Sequence, residues 1–185
     1  SRKGTFTTDI LSYVDDHKIY LFYSSKKHAG ENMQALLSKR PCDLPPVKYM
    51  CDALSRNIPK ELKTILINCL THGRRKFVEI EDFFPPECKY VINLLATVYH
   101  NDSIVKDNEL SKQERLEYHQ VHSKPLMDEL YAWLNKKLDD KLAESNSSLG
   151  KAIKYMINHW EALTQCSLLQ SIRWQHVVVN NLHLY

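Results

Sequence analysis

Glycine is scarce in this chain and proline only moderate: four Gly and seven Pro among 185 residues. That argues against a loop-rich or disordered polypeptide, and three Trp, ten Tyr and a hydrophobic fraction of 43% supply a core. Long apolar runs are missing too. None reaches the ~18 consecutive residues of a membrane-spanning helix. The opening SRKGTFTTD lacks the apolar segment of a secretory leader. The cysteines (Cys42, Cys51, Cys69, Cys88 and Cys166) are odd in number and show no paired spacing. They suit free thiols in a reducing compartment rather than a disulfide scaffold. Cys69-x-x-His72 could be half of a zinc site, but no second half follows. Acid is absent after Glu161. The length fits one domain, and no internal repeat appears.

The net charge of +3 conceals an asymmetry. Residues 1–77 carry 14 Lys/Arg against 7 Asp/Glu, whereas residues 78–165 carry 10 against 15. The first part could face a polyanion while the second is a solvated scaffold, although a basic half is also common in proteins that bind no nucleic acid. The chemistry concentrates in residues 44–77. An apolar run through Val47, Tyr49 and Met50 stops at Asp52. A second run, Ile65 to Leu70, leads to His72, Gly73 and then Arg74-Arg75-Lys76. An acid after one strand and cations after the next make a site for phosphate chemistry, the acid for a divalent metal and the cations for a nucleic-acid backbone.

Read in order, residues 4–14 and 18–24 form a β-hairpin around Asp15-Asp16-His17, with Ile19, Leu21 and Tyr23 on one face and Tyr20 and Phe22 on the other. Residues 29–39 read as a helix that Pro41 helps to end. Residues 47–51 are a short strand delivering Asp52. Residues 60–72 combine a helical turn with a buried strand, and a helix starts at Arg74. The order is α/β.

From about residue 83 the pattern turns helical. Pro85-Pro86 sits inside a helix start. Residues 101–109 read as a polar linker. A helix over 111–122 carries Ser111 and Glu114 in capping-box spacing. Pro125 breaks the chain before amphipathic helices over 126–142 and 149–164, the second behind a serine cap. The tail, 166–185, has no helical stripe and could add an edge strand or be a non-native end.

Five stretches carry a family resemblance: FYSSKKHAGENMQALL (22–37), PVKYMCDALSRNIPKEL (46–62), CLTHGRRKFVEI (69–80), LSKQERLEYHQVHSKPLMDELYAWL (110–134) and SSLGKAIKYMINHWEALT (147–164). Together they resemble the IS sixty-six type of bacterial insertion-sequence transposase, in its DDE class. The resemblance implies a partial ribonuclease-H-like sheet over residues ~4–80, a helical insertion over 81–165 and a divergent tail from 166. In that class three acids hold two metals, usually Mg²⁺, for strand cleavage and transfer. Asp52 matches the second acid, as catalytic residue and metal ligand. The strand bearing the first acid and the segment bearing the third are not found, so the expectation is a truncated remnant, inactive by itself, with a tail translated out of frame. A non-catalytic DNA-binding or interaction domain is the competing reading. The implied partners are DNA at transposon ends and a second copy of the chain, with no membrane and no small-molecule substrate. The implied location is the bacterial cytoplasm, at the nucleoid when DNA is bound.

The site residues carry ordinary readings beside these. Asp52 could simply cap a turn or pair with Arg56, and Arg56 could orient Asp52 or touch phosphate. His72, Arg74, Arg75 and Lys76 could be a solvated helix start or phosphate contacts. As a helix start, three adjacent cations would oppose the dipole, a cost that a bound anion would relieve. Lys26 and Lys27, with His28, are a further candidate backbone contact. Trp133, Trp160 and the stripe Leu149, Ile153, Met156 and Leu163 read as core.

Overall fold

Alternating side chains govern the first third of the chain. The computed structural model describes residues 6–14, 17–60, 64–165 and 181–183. They separate into two compact units, one running to Asn68 and taking in residues 181–183, the other starting at Cys69.

In the first unit, β1 (Phe6–Val14) and β2 (His17–Ser25) are antiparallel in the register Phe6↔Ser25 to Val14↔His17. This is the expected hairpin; Asp15 and Asp16 lie outside the described residues. Phe6, Thr8 and Ile10 alternate into the core. The other edge of β1 carries a strand from the tail, β5 (Asn181–His183), antiparallel from Phe6↔His183 to Thr8↔Asn181. The tail therefore does add a strand; Val177–Val179, the run that suggested one, is outside the described residues. Helix α1 (Ala29–Leu37) starts where the Glu31 carboxylate accepts the His28 N–H at 2.8 Å. Strands β3 (Val47–Cys51) and β4 (Thr64–Asn68) pair in parallel, Val47↔Thr64 to Cys51↔Asn68. Ile10, Ala29, Met33, Tyr49 and Cys51 make one core cluster, edged by Leu21, Tyr23, Leu36 and Leu66. Within it the buried Asn32 amide donates to the Thr8 hydroxyl at 2.9 Å. The helical turn expected after Lys60 falls on residues 61–63, outside the described set.

Gly30 sets how closely α1 approaches its neighbour. A Cβ there would lie 2.7 Å from the Ile58 carbonyl oxygen and 2.8 Å from that of Arg56. Only a glycine lets the helix rest on this backbone, which forms a short 3-10 turn, Ser55–Asn57.

The second unit is helical: α2 (Leu70–Val78), α3 (Pro85–Asp107), α4 (Lys112–His122), α5 (Lys124–Asp139), α6 (Ser148–Asn158) and α7 (Trp160–Thr164). Two expected starts hold. The Ser111 hydroxyl accepts the Glu114 N–H at 3.3 Å and the Glu114 carboxylate accepts the Ser111 N–H at 2.9 Å. The Ser147 hydroxyl accepts the Gly150 N–H at 3.0 Å. Leu149, Ile153, Met156 and Leu163 are buried, as are Met127, Leu130 and Leu134 of α5. Tyr131 is exposed and lies against Trp160, ring centroids 4.9 Å apart.

Three expectations need correction. The helix after β4 begins at Leu70, not Arg74, because Leu70, Gly73 and Phe77 bury one face at helical spacing. The last long helix is interrupted at His159, whose φ of −110° and ψ of 12° leave helical geometry. Residues 101–107 of the supposed linker 101–109 are the last turns of α3, held by buried polar groups. Ser123 is fully buried; Asn101, Asp102 and His119 are nearly so. The Asn101 amide donates to the Ser123 hydroxyl at 3.2 Å and to the His122 carbonyl at 3.3 Å. Ser123 Oγ lies 2.9 Å from His119 Nδ1, and His119 Nε2 lies 3.6 Å from the Asp102 carboxylate. The chain of groups ties α3 to the junction of α4 and α5.

Candidate nucleic-acid interface

Asp52 directly follows β3, as the sequence suggested. Its Oδ1 accepts the Asn57 side-chain N–H at 2.6 Å and the Leu54 N–H at 3.4 Å. The turn partner is thus Asn57, which is buried, and not Arg56, which sits exposed in the 3-10 turn. Asn57 is held in turn, because the Tyr49 hydroxyl donates to its carbonyl at 2.7 Å. Burial first, then Cys51 and Asp52, raise the Tyr49 hydroxyl well above the ordinary range, which keeps it a donor. Burial and then Asp52 push the Cys51 thiol up to about 12. Lys26 and Lys27 are exposed between β2 and α1, where the Lys27 N–H donates to the Ser25 hydroxyl at 3.0 Å.

Does this acid make a metal site? Mg²⁺ takes near-octahedral oxygen ligands, usually one or two carboxylates with waters and phosphates. Asp52 offers one carboxylate, with one oxygen already engaged. Among the described residues no three His, Cys, Asp or Glu side chains group closely enough to hold a metal. The described residues do not fit a resident Mg²⁺.

On α2, the four basic positions divide. His72 is half-buried and hydrogen-bonds the buried Cys69 at the helix start. Burial raises the Cys69 thiol, but bonds from the side chains and N–H groups of His72 and Thr71 outweigh it and leave the thiol below its ordinary value. Arg74 is half-buried, while Arg75 and Lys76 are exposed. The earlier helix start moves Arg75 and Lys76 into the last turn. There the helix dipole favours cations, so the cost expected for a helix start does not arise. Arg75 pairs with Glu79 at 3.3 Å across an exposed i,i+4 step, a contact worth only about 0.3–0.5 kcal/mol. Lys76 lies 5.7 Å from the centre of the Tyr155 ring. One turn earlier, Met156 of α6 approaches so closely that a Cβ on Gly73 would meet its sulfur at 2.5 Å. The packing thus fixes which residues of α2 face water.

The Asn57 and Cys69 roles escaped the sequence reading. An Asx at Asp52 and a side-chain amide five residues on was the available signal for the first; a cysteine at a helix N-terminus was the signal for the second. Ser123, His119 and Asp102 contain the residue types of a hydrolytic triad, but they are sealed from solvent and serve the fold.

Sequence comparison decides the family. The sequence matches the family described as Transposase IS66 family over residues 5–174, most of its length. The chain belongs to this family. Two uncharacterised proteins of Sinorhizobium fredii are similar to it. One, y4jD, is 35% identical over 96 residues, covering 51% of this chain and 18% of the relative. The other, y4hP, is 25% identical over 183 residues, covering 87% of this chain and 32% of the relative. The chain therefore spans a third or less of these family relatives. No solved structure matches it. Among the described residues, no helix is long and apolar enough to cross a membrane.

Proposed function

We propose that this chain is a segment of a DNA transposase that grips the phosphate backbone of DNA through the exposed edge of α2 and does not cut DNA by itself. One observation carries the reading. Arg75 and Lys76 stand exposed in the last turn of a helix whose other face is buried on Leu70, Gly73 and Phe77, with Arg74 half-buried beside them. Cations on a helix fixed in this way touch phosphate without reading sequence. Membership of a transposase family supplies the reason to expect DNA as the polyanion. In the first unit, Lys26, Lys27 and Arg56 are exposed cations that offer phosphate contacts of their own, and in the second His72 acts through Cys69 at the start of α2.

The element order β1-β2-α1-β3-β4-α2, with β3 and β4 parallel and an acid directly after β3, supports a partial ribonuclease-H-like arrangement with Asp52 in the place of the second acid, although the described strands divide between two sheets, β2-β1-β5 and β3-β4. Strand cleavage lies outside this reading. Two-metal displacement needs ions clamped by several carboxylates, and the described residues bring no such group together.

The test is the salt dependence of binding to a duplex of mixed sequence, followed by fluorescence anisotropy. Each lost phosphate contact lowers the slope of log K against log salt by about 0.9. Replacing Arg75 and Lys76 by Gln should lower it by roughly 1.8 and weaken all sequences alike. An unchanged slope refutes the interface. Nicking of supercoiled DNA with Mg²⁺ that disappears in Asp52→Asn would refute the inactive assignment.

A further inference from the structure

Among the described residues, no strand covers the outer edge of the hairpin. In the three-stranded sheet the order is β2-β1-β5, so β2 is an edge over all nine of its residues, whereas the opposite edge is the three-residue β5. Edge strands are usually blunted by proline, a bulge, inward charge or short length. The sequence HKIYLFYSS has no proline, and its pairing to β1 runs without a bulge. Its only full charge is Lys18, near one end. On the outward face Tyr20 is 59% and Phe22 71% exposed, and Ile19 on the other face is 46% exposed.

We infer that β2 pairs antiparallel with β2 of a second copy of this chain. An isologous contact must be self-complementary, and this strand is. With Leu21 on the two-fold axis, all nine residues find a partner. Tyr20 then faces Phe22 of the other copy, and by symmetry the pair occurs twice on the same face. Ile19 meets Tyr23, and Lys18 meets the uncharged Ser24, so the cations of the two copies are not opposed. The absence of acid from β2 leaves no electrostatic penalty against a neutral, aromatic partner strand. Exposed aromatic rings of this kind offer on the order of 150 Å² each. Two rings per copy, with Ile19 and the strand edges, bury less than the ~1,200 Å² at the lower limit of stable interfaces. The dimer is therefore of the weak, reversible class.

The experiment is sedimentation equilibrium of the full chain over a wide concentration range, with hydrogen exchange of the β2 amides at both ends of that range. Dimerisation with added protection confined to β2 is expected. Phe22→Lys, which points outward and leaves the β1 pairing intact, should weaken it on the order of tenfold or more, with unchanged circular dichroism. Tyr20→Lys should do the same, and keeps the test available if Phe22→Lys fails to fold. A chain that stays monomeric throughout, a dimer that neither variant weakens, or protection of β2 that appears only when DNA is added would each overturn the inference.

Discussion

Removing His119 should cost this protein more than removing Asp102, although the two face each other. The Asp102 carboxylate is almost fully buried, and His119 Nε2 is 3.6 Å away. His119→Ala leaves that charge inside the helical unit without its partner. Breaking a buried pair in this way costs about 3–5 kcal/mol. Asp102→Ala strands no carboxylate and leaves only the His119 ring nitrogen unmatched, about 1–3 kcal/mol. The double variant leaves no stranded charge, so its cost should fall short of the sum by about 0.5–3 kcal/mol. For a chain of 185 residues, the His119→Ala loss corresponds to a fall in Tm of roughly 6–20 °C. Urea unfolding followed by circular dichroism at 222 nm, a wavelength chosen for helix, measures all four corners of the cycle. The reasoning fails if His119→Ala loses less than about 1 kcal/mol, or if the two substitutions simply add.

Two further predictions concern glycine and alkali. Gly30→Ala should destabilise by about 1–3 kcal/mol, because the new methyl meets backbone carbonyls of Arg56 and Ile58 that cannot yield. Gly73→Ala should cost less, since it meets the end of the flexible Met156 side chain, and alanine gains up to about 1 kcal/mol over glycine within a helix; equal urea midpoints would contradict this. The Cys51 thiol moves from 9.0 to about 12 on folding. An unfolded chain therefore gives up this proton first. The contribution is complete below pH 9 and is lost as pH rises towards 12, by about 4 kcal/mol in full. Cys51→Ala should flatten the alkaline fall in urea midpoint; an unaltered pH dependence would rule out Cys51 as its source.

The hairpin and the β3 strand were legible because alternation is a local signal. Phe6, Thr8 and Ile10 point one way whatever the rest of the chain does. Capping at Ser111 and Ser147 was legible for the same reason, since each hydroxyl reaches an N–H only three residues on. What resisted reading was polar residues whose partners lie far along the sequence. Asn101 and Asp102 resemble linker residues until Ser123 and His119, some twenty positions later, close over them. Thr71 and His72 resemble the end of a buried strand until Met156 packs onto Gly73 and the helix is seen to start at Leu70. At the candidate site, the position of Asp52 after its strand followed from sequence. Its clamp by Asn57 depends on a turn that a helix, α1, presses from outside.

The pairing of β1 with β5 also has a consequence in time. Residues 6–8 and 181–183 are partners, yet a ribosome adding ~5–20 residues per second separates their appearance by roughly 10–30 s. The hairpin can form within microseconds of its emergence. The third strand cannot join until residues 181–183 have been made. Throughout that interval this edge of β1 is open to any other nascent strand, and the order of translation gives chaperones a defined time in which to cover it.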